Sequence, residues 1–330
     1  MNLGAHWTLD YNPTMTLYSN PQFSDSTSQD VVLTGHTHYE DWTLGLSQGY
    51  SYSDAPQAQT EAQTKQTDYA TALTASRQMG SHLSAQLGLD QTISSSSQIT
   101  GSTNGNSQDI HSWVLFGGLN YETDYRLGFG ITGSGGYDLI SPGPSMSFEQ
   151  VQGTMNWQVL GKVSVVASCG VQDTHVMGAQ MVDPTFSAAI NYQPFEQTSA
   201  SLIASRSVTP ALYQAEVTVS TLISATFRQR FLQHFTFEVS GGYSTTPYVG
   251  FATAQEFTGS HQIFPPPPLI ASSVQQNRTD DSRFARVSLG STFRQRGTVS
   301  IFYSFSDTTS SLSAFDLRST QVGFEIGWRY

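Results

Sequence analysis

The chain has 330 residues, of which 38% are hydrophobic but only 12% charged, about half the charged share of an ordinary globular protein. Its net charge of -11 excludes a nucleic-acid partner, which needs a basic footprint, and its two lysines, Lys65 and Lys162, are too few for a surface that faces water everywhere. No apolar run approaches the roughly 18 residues of a membrane-spanning helix, no basic leader with an apolar centre opens the chain, and one cysteine, Cys169, builds no disulfide framework or cysteine-rich metal site.

Period-two alternation bounded by turn residues predicts sixteen strands. In chain order they begin at His6, Val31, Trp42, Thr67, His82, His111, Arg126 and Glu149, then at Lys162, Thr185, Ser199, Tyr213, His234, Arg283, Thr298 and Gln321. The connections between them alternate long and short. "DW", "QMGS", "TDYR", "LGK", "PFEQ", "RQRFLQ" and "RQRG" are the short ones, whereas "SDAPQAQTEAQTKQ", the run from Ser94 to Gln108 and the stretch 250–281 are long. Tight turns at one end and generous loops at the other predict an all-β fold: an antiparallel up-and-down transmembrane β-barrel of about 16 strands, with short periplasmic turns and long extracellular loops. The expected organisation is a single barrel domain over 1–330 with no separate plug domain.

Side-chain parity agrees with that reading. Trp7, Leu9, Tyr11, Val163, Val165, Val171, Val299, Ile301 and Tyr303 fall on one face, while Thr, Ser, Gly, Asn and Gln fall on the other. Apolar outside and polar inside suits a closed barrel in lipid. Aromatic residues collect at both strand ends, Trp42, Tyr121, Trp157 and Trp328 at the short turns and Tyr50, Tyr69, Trp113 and Tyr243 at the long loops, as expected of rings seated at two interfaces. Sixteen strands leave an aqueous channel rather than a filled interior.

The charged and imidazole side chains that parity turns toward the lumen are Asp10, His36, His38, Glu40, Glu216, Arg228, Glu238, Arg286, Arg294, Glu325 and Arg329. Both signs occur, so no ring of one sign selects ions. In "GHTHYE", His36, His38 and Glu40 alternate onto one face and could share a metal; a hydrogen-bonded polar stripe near the periplasmic mouth is the preferred reading, and neither metal nor cofactor is expected. The arginines near the short turns either attract anionic solutes or pair with phosphate headgroups. In the longest loop, Phe264, Pro265, Pro266, Pro267, Pro268 and Leu269 form a stiff, partly apolar segment, a candidate constriction or lid. No nucleophile elbow, phosphate loop or zinc-protease motif occurs, and the glycine-rich "GFGITGSGGY" reads as a strand that leaves lumen space; an outer-membrane hydrolase is the weakest alternative.

The terminal "VGFEIGWRY", with Phe324, Ile326, Trp328 and Tyr330 alternating to an aromatic end, resembles the C-terminal signature of Gram-negative outer-membrane barrels. That resemblance implies a bacterial outer-membrane location and reading of this segment by the barrel-assembly machinery. Through "HWTLDYNPTMTLYSN", "YEDWTLGLSQGYS", "NYQPFEQTSASLIASRSV" and "GGYSTTPYV" the chain also resembles porins of the "beta-barrel porin 2" type found near exopolysaccharide export genes. It implies passage or export of a hydrophilic solute or polysaccharide, with the bilayer and lipopolysaccharide as surroundings. A non-conducting barrel whose loops bind a partner or surface glycan is the rival.

Overall fold

The computed structural model describes residues 6–17, 24–57, 62–100, 109–124, 126–211, 216–232, 234–252, 273–293 and 297–328. They form a 17-stranded antiparallel sheet. Its strands are β1 (His6–Thr16), β2 (Ser26–Tyr39), β3 (Trp42–Ser53), β4 (Pro56–Gln57), β5 (Ala62–Gln78), β6 (Leu83–Thr100), β7 (Asp109–Asp124), β8 (Leu127–Ser141) and β9 (Met146–Leu160). They continue as β10 (Val163–Val176), β11 (Ala179–Phe195), β12 (Thr198–Pro210), β13 (Glu216–Phe231), β14 (Phe235–Ala252), β15 (Ser273–Phe293), β16 (Gly297–Ser310) and β17 (Leu317–Trp328). Because β4 is a two-residue rung against the start of β5, sixteen strands make the wall, each laddered to the next. The wall is nearly closed: β1 and β17 touch, but no ladder joins them among the described residues. Pro13 lies within β1, a position that suits an edge, since proline donates no ladder hydrogen bond.

The alternation in the sequence becomes two unlike surfaces. On β8, Phe129, Ile131, Tyr137 and Leu139 are exposed, whereas Thr132, Ser134 and Asp138 between them are turned inward. The same holds around the wall: Leu9 is 64% exposed, Ile301 59% and Val322 72%. A belt of bare leucine, isoleucine and phenylalanine is unfavourable in water by about 1.5–3 kcal/mol per side chain and costs nothing against lipid. Inside, small residues let rings lie flat: a Cβ on Gly88, Gly136 or Gly323 would overlap the rings of Phe116, Phe148 or Phe302 on the neighbouring strand.

Strand lengths depart from the sequence reading. β15 has 21 residues, about 70 Å of extended chain, although some 9–11 residues cross a bilayer. Several hairpins therefore project beyond the lipid on the long-loop side. There, β10 and β11 meet in a two-residue turn, Met177 (φ 52°) and Gly178 (φ 82°), the doubly left-handed geometry that matches hairpin twist. The long connection expected between these strands is instead more strand.

At that end the wall also splits. The β11–β12 ladder stops at Phe186↔Arg206, while β10–β11 and β12–β13 continue to Val176↔Ala179 and Val217↔Pro210. Val208, Val217, Val219 and Val249 hold lipid-face positions by register, yet all four are buried and pack with Ile110, Ile140, Met146 and Val176, which hold lumen-face positions. Lipid-face and lumen-face positions meet only when one flap of wall lies inside another. The upper parts of β12, β13 and β14 therefore curl into the mouth against the inner side of β7–β11, as the edge of a scroll does, and β11 comes against β15.

Candidate functional site

The lumen has two chemically different walls. One, running from β13 through β17 to β1 and β2, carries charge. Arg228 and Glu238 are cross-strand partners, and the Arg286 guanidinium donates to Glu325 while stacking 3.9 Å from the centre of the Phe302 ring. Ser300 Oγ adds a 3.1 Å hydrogen bond to the second Glu325 oxygen. With both members about one-third exposed, this pair is only partly desolvated, and its main effect is to hold Arg286 flat against the wall. Farther round, Asp10 projects from β1, and His6, His36 and His38 line the short-turn mouth with ring centroids 5.3 and 5.7 Å apart in succession. His38 Nδ1 is 3.0 Å from Thr43 Oγ1.

Among the described side chains, the opposite wall, β7 to β12, carries charge on its lumen face only near its ends: Glu122 at the short-turn mouth, with Arg126 of the adjoining turn beside the same recess, buried Asp138, and Asp183 beneath the curled arm. Between them lie amides and hydroxyls. Asn120 and Thr154 lean over Gly130, and Gln86 and Thr132 over Gly118, so closely that a Cβ on either glycine would meet them. Missing side chains thus hold the bore open. This wall frames a recess of about 700 Å³ that includes Gln86, Asn120, Gln152, Thr154 and Asn156, and a second of about 460 Å³ that shares Gln152, Ser168 and Ser187 with it and reaches Arg206 and Val208 at the root of the arm.

The arm is buried on both of its faces. Val217 and Val219 are 2% and 3% exposed, and Glu216 and Thr218, on the other face, are buried too. Arg206 plugs the split: Nε donates to the Pro184 carbonyl at 3.1 Å, Nη1 to Thr221 Oγ1 and Nη2 to Asp183 Oδ1, both at 3.2 Å. Behind the arm, the Arg278 guanidinium is sandwiched between Tyr248 and Phe315, 3.8 Å from each ring centre, with Asp280 at 3.2 Å. A fully buried ion pair bracketed by two rings fixes the top of β14 to the top of β15. On the far side of the mouth, polar contacts replace apolar ones: Ser24 and Gln63 bond reciprocally, and Asp68 accepts from Gln66, Ser51 and Ser94.

The residues singled out in the sequence are thus dispersed. Asp10, His36, His38, Arg228, Glu238, Arg286 and Glu325 occupy lumen-face register, and only Arg286 and Glu325 are joined by an ion pair. Glu40 departs from the stripe of His36 and His38: it sits in the Glu40–Asp41 turn with φ 52°, exposed, because a two-residue turn must reverse the chain there. Among the described residues no three His, Cys, Asp or Glu side chains converge on a metal position. Glu216 is in the arm rather than on an open wall. Phe324 and Ile326 lie on the outer face at 60% and 54% exposure, and the backbone of Trp328 pairs with Gly297. Arg294, Arg329, Tyr330 and the segment Phe264–Leu269 lie outside the described residues. The arm, Arg206 and Arg278 were not anticipated. Their signal is present but faint: Ile110, Ile140 and Met146 are apolar on a parity that is mostly polar or glycine, and Arg206 is charged on a parity that is otherwise apolar.

No protein-family model matches the sequence, and no curated protein is similar to it. Solved structures share its architecture. The FrpB iron transporter from Neisseria meningitidis (F5-1 variant) superposes with a TM-score of 0.51 at 11% identity, over 98% of this chain and 63% of that one. The copper transporter OprC gives 0.50 at 9% identity, over 99% and 65%. The chain therefore spans less than two thirds of the length of these barrels, and the likeness is one of fold: an all-β wall of sixteen antiparallel strands of the outer-membrane type.

Proposed function

We propose that the chain is an outer-membrane channel through which a hydrophilic solute diffuses, with the curled β12–β14 arm setting the width of the loop-side mouth. The observation that carries this reading is the inverted surface, bare apolar side chains outside and water-exposed polar side chains inside, on a wall whose strand number leaves an aqueous bore. Iron and copper transport by two barrels of the same fold add support for transport as the class of function. The proposed surroundings are the bilayer and lipopolysaccharide of a bacterial outer membrane, with the barrel-assembly machinery reading the C-terminal strand. Export of a polysaccharide is the finer form of the proposal, and no catalysis is assigned to any residue.

The rival reading, a non-conducting barrel that binds a partner through its loops, draws on the apolar cluster that packs the arm into the mouth. Planar-bilayer recording separates the two. Stable unitary currents from the refolded protein are the expected outcome; folded barrel that never conducts, even when the arm is loosened by substitution, would refute the channel.

A further inference from the structure

We infer that the β7–β12 wall, with Gln86 beside it, is a binding track for a neutral polyhydroxylated solute of the saccharide class; this rests on the channel reading for its access and on the wall's own chemistry for its selectivity. The first argument is the partition of charge. Arg228, Glu238, Arg286, Glu325, Asp10, His6, His36 and His38 belong to the opposite wall, whereas the charges that line the two recesses, Glu122 and Arg126 at the short-turn mouth and Arg206, paired with Asp183, at the root of the arm, stand at the ends of the track; the stretch between them offers an ion no charged partner.

The second argument is the kind of polar group present. A carboxamide offers two donors and an acceptor, and a hydroxyl offers both roles at one atom, which matches the mixed donor and acceptor rim of a sugar ring. A carboxylate or guanidinium would satisfy only one half of that rim. The carboxamides of Asn120, Gln152 and Asn156 hydrogen bond to no other described side chain, so their capacity is turned to the bore. Gln150, by contrast, is held by Ser134 and Thr185.

The third argument is the two flat rings. Phe116 and Phe148 lie along the same wall over Gly88 and Gly136, and both side chains are inward by register. An apolar face beside orienting polar groups is the ordinary recipe of a small-molecule site, and the C–H face of a sugar ring is the part of such a solute that covers an aromatic face. The two recesses, of about 700 and 460 Å³, adjoin at Gln152, Ser168 and Ser187, which line both. They therefore offer consecutive positions along the bore, from the short-turn mouth to the root of the arm.

The test is block of single-channel current by maltohexaose, compared with polyethylene glycol of equal hydrodynamic size, at low and high salt. Maltohexaose should produce resolved blocking events that polyethylene glycol does not, with a binding constant that does not change with salt, because neither partner in the contact is charged. The double variant N120A/Q152A should weaken that constant about tenfold, the loss of two ordinary hydrogen bonds. Steady current with no block, or equal block by both polymers, would overturn the track while leaving the channel intact. If no current is seen at all, the channel reading fails on its own, and calorimetric titration of maltohexaose into detergent-folded barrel decides the track: binding weakened by N120A/Q152A supports it, and no binding overturns it.

Discussion

Loosening the arm should open the channel by an amount that the packing sets. Val217 and Val219 are almost fully buried, at 2% and 3% exposure, within the cluster that seats β13 on the inner side of β7–β11. Truncating each to alanine removes two methyl groups, at about 0.8 kcal/mol per buried group, so V217A/V219A weakens the seated position by about 3 kcal/mol before any cavity term. At 1.4 kcal/mol per decade, the ratio of open to closed mouths rises about a hundredfold. This shift does not depend on how rarely the wild-type mouth opens. The assay is open probability at fixed voltage in planar bilayers, with heat-modifiable gel mobility confirming that the variant is folded. Ile223→Ala, on the same strand but 53% exposed on the outer face, should leave that ratio unchanged. Folded V217A/V219A whose ratio of open to closed time stays within twofold of wild type would refute the idea that this cluster holds the mouth.

Three further outcomes follow from the same geometry. Arg278→Ala leaves Asp280 buried without its cation and should destabilise the barrel by about 3–5 kcal/mol in denaturant titration, whereas R278M/D280L, which removes both charges, should lie much nearer wild type. Ile131→Arg, on the lipid face of β8, should cost about 2–4 kcal/mol in the same titration, and Thr132→Arg, one residue on but inside, should be tolerated; the reverse order would mean that the two faces have been exchanged. Tyr330→Ala should lower the amount of barrel assembled in the outer membrane of cells, measured by fractionation, while refolding in detergent is unaffected.

Much of the wall was legible because period two is a local property. Trp7, Leu9 and Tyr11, or Val299, Ile301 and Tyr303, alternate whatever the rest of the chain does, and each such run fixes one face. The short turns were equally legible, since "DW" or "LGK" leaves no room for anything but a reversal. What could not be read was any feature created when distant parts of the wall meet. Val217 and Val219 obey the lipid-face parity faithfully; they are buried because β7–β11 cover them, a fact that no local pattern contains. Similarly, the listing of lumen charges suggested a mixture, and only the strand order sorts it into a charged wall and an amide wall. The alternation of connection lengths implies a long loop between β10 and β11, yet the hairpin closes at Met177–Gly178, because both strands run on through residues that alternate less cleanly than the rest of the wall.

The unladdered contact between β1 and β17 gives the barrel a mechanical character that a hydrogen-bonded ring lacks. A ring of fixed strand number and stagger has a fixed circumference, and its bore changes only if ladders break. A rolled ribbon has compliance: its free margins can slide or part while every other ladder remains intact. Amide protons of β1 and β17 should consequently exchange faster than those of β8 or β9, and thermal unrolling should start at that margin, where, among the described residues, His6–Thr16 is held by one neighbour's ladder rather than two.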